Sequence, residues 1–82
     1  MYMISDEILQ KESIPLDILH PLIKETASKV AKHKPKDVQT GPAVREDKEV
    51  IDSHLKYLEK GKNHDIYKLL SETIIYKNND EL

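Results

Sequence analysis

Thr40-Gly41-Pro42, followed by Arg45 and Asp47, is the stretch of this sequence best equipped for chemistry. Glycine admits a left-handed or close-approach backbone, proline stiffens the exit from a turn, and the Thr40 hydroxyl can serve a helix end or a ligand. Arg45 is the only arginine against twelve lysines. Its planar fork suits a carboxylate or phosphate in a way that a lysine point charge does not. The same spacing accommodates a structural arrangement, in which Arg45 bridges Glu46, Asp47 or Glu49 beside a capped helix start. From spacing alone the structural arrangement is favoured.

Other chemistries find less support. His20, His33, His54 and His64 lack the i, i+4 spacing of a helical metal pair, and without cysteine a closed zinc site needs distant ligands, so no metal is expected. Ser53 and His54 are adjacent, which on a helix turns their side chains about 100° apart and prevents them from acting as nucleophile and base. His54 lies on an apolar stripe, where a buried, hydrogen-bonded histidine is the commoner reading. Gly41 and Gly61 stand twenty residues apart. A dinucleotide needs closely spaced glycines that bring a helix N-terminus to its pyrophosphate, so this chain binds none by that fingerprint.

The elements that must position these residues are helical. The chain has 82 residues, two glycines and apolar positions recurring at three- and four-residue intervals, and no stretch alternates like a half-buried strand. A first segment carries Met1, Ile4 and Ile8 on one face until Ser13-Ile14-Pro15 breaks it. Its stripe is in helical period from residue 1 with no preceding cap, which leads us to expect a chain that starts inside a helix. A second segment starts at Pro15 with the stripe Leu16, Leu19, Ile23, Ala27 and Val30, and should kink or re-form at Pro21. Lys29, Lys32, His33 and Lys34 complement the negative end of its dipole, and Pro35 stops it. Residues 35–47 form an irregular connection. Asp47 is placed to cap a third helix bearing Val50, Ile51, His54, Leu55 and Leu58 and ended by Gly61. Asn63 is placed to cap a fourth, with Ile66, Tyr67, Leu69, Leu70, Thr73 and Ile74 on its face, before a frayed polar tail over residues 77–82. The Gly61-Lys62-Asn63 link is short enough to make the last two helices an antiparallel hairpin. The closing Asp-Glu-Leu resembles a retention signal but has no secretory context.

Composition narrows the function classes. Eighty-two residues suffice for one small, marginal domain. A net charge of −2 and the lack of a basic recognition helix argue against nucleic acid as a partner. No apolar run approaches the ~20 residues of a membrane span, and with no cysteine the chain reads as soluble and cytoplasmic.

Several runs taken together resemble a known family. These are Leu19-His20-Pro21-Leu22-Ile23-Lys24-Glu25-Thr26, then Thr40 to Asp47, His54 and Leu58, and Ile66-Tyr67-Lys68-Leu69-Leu70-Ser71. They resemble a helical domain of unknown function that follows an N-terminal Rossmann domain in predicted NAD(P)-dependent oxidoreductases. Wider relatives are the C-terminal domains of pyrroline-5-carboxylate reductase and of the 6-phosphogluconate dehydrogenase group. The resemblance covers residues 1–76. The family pattern usually places Gly between Arg and Asp, where this chain has Glu46.

The resemblance implies an all-α domain of about four helices over residues 1–82, like the 6-phosphogluconate dehydrogenase C-terminal domain and truncated at its N-terminus. Such a domain dimerises with its copy and closes the substrate cleft against the Rossmann domain, which is absent from this chain. By position, Thr40, Gly41, Pro42, Arg45 and Asp47 are then the cleft-facing loop for a small anionic substrate, with His54 as its support. NAD(P) is expected for the intact protein, no cofactor in this chain, and no activity from the fragment alone; no catalytic residue is assigned. The rival reading is a free-standing helical module that binds a partner through its apolar faces.

Overall fold

The computed structural model describes residues 1–80 and is all-helical. Its four α-helices are α1 (Tyr2–Lys11), α2 (His20–Lys32), α3 (Lys48–Leu58) and α4 (Lys62–Asp80), and no strand occurs among the described residues. Short 3-10 turns cover Leu16–Leu19 and Pro35–Val38. Among the described residues no helix is long and apolar enough to cross a membrane. The chain divides into two compact units, Met1–Val38 and Gln39–Leu82.

In the first unit α1 starts without a side-chain cap and ends in a Schellman motif. The amide of Ile14 donates to the carbonyl of Leu9 at 2.9 Å and that of Ser13 to Gln10 at 3.1 Å, with Ser13 left-handed at φ 57°. The second segment does re-form near Pro21, because proline lacks an N–H and is tolerated only in a first turn. A 3-10 turn precedes it, and α2 proper begins at His20 with Pro21 in its opening turn. Ile4, Ile8, Leu9, Leu16, Leu19 and Ile23 are half-buried, whereas Ala27 and Val30, the far end of the expected stripe, are exposed. No residue of this unit is fully buried. The connection after Pro35 is less irregular than expected, since it opens with a 3-10 turn.

The second unit is the α3–α4 hairpin and the turn before it. Among its described residues Ala43, Ile51 and Ser71 are buried. Contacts of His54 with Tyr67 and of Val44 with Asn78 run in opposite directions along the two chain segments, so the helices are antiparallel as the short link requires. Three boundary expectations need correction. Gly61 does not end α3; the helix stops at Leu58 and Glu59 takes a positive φ of 56°. Asn63 does not cap α4, which begins one residue earlier with the carbonyl of Gly61 accepting from the amide of Asp65 at 3.0 Å. The polar tail is not frayed over residues 77–80, which continue α4. Asn78 and Asn79 there reach back to the loop before α3, and that anchoring keeps the last turn wound. Glu81 and Leu82 lie outside the described residues.

Candidate functional site

The loop from Thr40 to Asp47 is a single helical turn between two left-handed residues. Gly41 sits at φ 106°, and an added Cβ would meet nothing within 4 Å, so glycine is needed there for its backbone and not for space. After Pro42 the chain winds once and closes with a second Schellman pattern. The amide of Asp47 donates to the carbonyl of Pro42 at 2.9 Å and that of Glu46 to Ala43 at 3.1 Å. Glu46 occupies the left-handed position of that closure at φ 52°, where glycine costs least. Glu46 thus adopts this conformation against its steric preference.

Asp47 then caps α3, its Oδ1 accepting from the Val50 amide at 3.3 Å. The loop is tied down from two sides. Ala43 is buried beneath it, and the end of α4 clamps its rim. Asn78 Nδ2 donates to the Val44 carbonyl at 3.3 Å, and Asn79 Nδ2 to Glu46 Oε1 at 3.0 Å.

Thr40 and Arg45 are exposed, whereas Gly41, Pro42 and Asp47 are half-buried. The Thr40 carbonyl accepts from Gln39 Nε2 at 3.2 Å. Among the described residues Arg45 forms no ion pair, so the bridges to Glu46, Asp47 or Glu49 that its spacing permitted are not made. Asp47 serves the helix end instead and Glu46 faces Asn79. An exposed guanidinium at the rim of a fixed turn can receive a carboxylate or phosphate in its bidentate fork.

His54 differs from expectation. It is exposed, not buried in the apolar stripe, because α3 places it at the edge of the hairpin. Its hydrogen bond goes to Tyr67 on α4 and not to the loop: Nδ1 lies 2.7 Å from the Tyr67 Oη, with the rings edge-to-face at 5.6 Å and 76°. The sequence placed Tyr67 on the face of α4 but not as the partner of His54, and it assigned no role to Asn78 or Asn79. The spacing of Tyr67, Ser71, Ile74 and Asn78 was the available signal, since i, i+4, i+7 and i+11 put them on one face of α4.

An open groove of about 300 Å³ runs between α3 and α4, with Ile51, Leu55 and Ile75 in its walls, and it includes none of the loop residues. Among the described residues no three histidines or carboxylates gather as a metal site.

Residues 1–74 match the family described as domain of unknown function DUF2520. A crystal structure of a predicted NADP oxidoreductase from Bacteroides fragilis is 44% identical in sequence, with a TM-score of 0.87 over 93% of this chain. The chain spans 30% of the length of that protein. No curated protein matches the chain.

Proposed function

The chain belongs to the DUF2520 family, and from that premise we propose that it is the helical dimerisation and substrate-side domain of an oxidoreductase that uses NAD or NADP. The observation that carries this reading is Arg45, exposed and without an ion pair among the described residues, on a turn fixed by Gly41, Asp47 and the asparagines of α4. The relative from Bacteroides fragilis supports the class of activity. Arg45 binds the anionic group of a small substrate, and the Thr40 hydroxyl adds a hydrogen bond beside it. The rigid turn lowers the ordering cost of that contact. A nicotinamide cofactor would be held by the rest of the intact protein, and the chain alone has no oxidoreductase activity.

The experiment is a fluorescence titration with NADPH and NADH. The intact protein should bind one of them and the isolated 82-residue chain neither. Binding by the isolated chain, or none by the intact protein, would overturn the reading.

A further inference from the structure

α4 carries apolar residues on two opposite faces. One face, where Tyr67, Ile74 and Ile75 are half-buried beside Ser71 and Asn78, meets α3 and the loop before it. On the other, Ile66, Leu69, Thr73 and Tyr76 follow one another at intervals of three, four and three residues, with Leu70 at their flank. That is the a/d spacing of a helix-pairing seam. It is uncovered: Leu69 is 66% exposed and Tyr76 67%. Thr73 does not spoil the seam, because its hydroxyl already donates to the Leu69 carbonyl at 2.7 Å and leaves the methyl group to pack. A helix that is apolar on both sides is covered on both sides in its working state.

The charges beside the seam say what covers it. In the seam's heptad Asp65 and Glu72 take g positions and Lys77 an e position. If two copies of α4 lie antiparallel along the whole seam, Ile66 opposes Tyr76 and g faces g, so Glu72 meets Glu72 of the other copy. If they lie parallel, g faces the next e, and Glu72 of each copy meets Lys77 of the other. Only the parallel arrangement is electrostatically complementary.

We infer that the outer face of α4 pairs in parallel with the same face of a second copy, about a two-fold axis that runs along the seam, with reciprocal Glu72–Lys77 pairs at its edges. This rests on the reading of the chain as a dimerising domain and names the surface that does it. It also makes α4 the common wall of the site loop, which Asn78 and Asn79 hold, and of the dimer.

Sedimentation velocity on the full 82-residue chain tests it. The wild type should be a dimer at high-micromolar concentration, and Leu69→Glu should raise the dimer dissociation constant at least about 100-fold with unchanged helical circular dichroism. Glu72→Lys and Lys77→Glu should each weaken the dimer several-fold, and the double variant should restore it. Because the chain has no cysteine, Tyr76→Cys should cross-link to its own copy under oxidation only if the helices are parallel. A monomeric wild type overturns both the dimer reading and this surface. A dimer that survives Leu69→Glu overturns the surface alone, and failure of either the charge swap or the cross-link overturns the parallel register.

Discussion

The side-chain amide of Asn79 donates to the carboxylate of Glu46 at 3.0 Å, so the last turn of α4 holds the left-handed residue that closes the site loop. This link joins two features that look unrelated in the sequence, an acidic residue where glycine is usual and a run of polar residues near the chain's end. The strain of a non-glycine left-handed residue is about 1–2 kcal/mol, and one exposed charge-assisted hydrogen bond offsets much of it. A double-mutant cycle tests the coupling. Asn79→Ala should cost about 1 kcal/mol in the wild type and close to nothing once Glu46→Gly has removed both the strain and the partner. Equal costs in the two backgrounds would show that the contact carries no energy.

Asp47 closes the loop and opens α3 at once. Its carboxylate satisfies the Val50 amide, one of the orphan donors of a helix start. Asp47→Ala should therefore cost about 1 kcal/mol, which for a domain of this size lowers Tm by about 4–8 °C. Asp47→Asn or Asp47→Ser should recover most of the loss, since either side chain still accepts the hydrogen bond. Thermal melts followed by circular dichroism decide it.

His54 and Tyr67 pin the other end of the hairpin. Tyr67→Phe keeps the edge-to-face ring contact and removes only the hydrogen bond of 2.7 Å. The expected cost is about 0.5–1.5 kcal/mol by urea denaturation, with the m-value unchanged. A loss beyond about 3 kcal/mol would mean that the phenol hydroxyl does more than join two exposed helix edges.

Much of the helical layout was legible in the sequence because its signals are local. Asp47 announces a helix start by its side chain, the three-residue link forces an antiparallel hairpin, and Pro21 confines itself to a first turn. What escaped depends on contacts between residues far apart in the chain. Asn78 and Asn79 read as solvated tail until the Val44 carbonyl and the Glu46 carboxylate are brought opposite them. His54 reads as core because its spacing matches Ile51 and Leu58, yet the helix rotation that buries Ile51 leaves His54 at the rim beside Tyr67. Gly61 reads as a helix stop, but α3 ends three residues earlier and Glu59 takes the positive φ there instead. For the loop itself, the residue types were visible and the status of Arg45 was not. Whether an arginine pairs with a neighbouring carboxylate depends on where those carboxylates are already engaged, and here Asp47 caps and Glu46 meets Asn79.

The most direct measurement is kcat/KM of the intact protein and its Arg45→Ala variant, with Tm recorded for both. With Arg45 receiving the anionic group, kcat/KM for the anionic substrate should fall by about 10- to 100-fold, equivalent to ~1.5–3 kcal/mol for a lost charged hydrogen bond, while Tm moves by less than about 2 °C. Unchanged kinetics with a clear loss of stability would contradict it and return Arg45 to a structural ion pair.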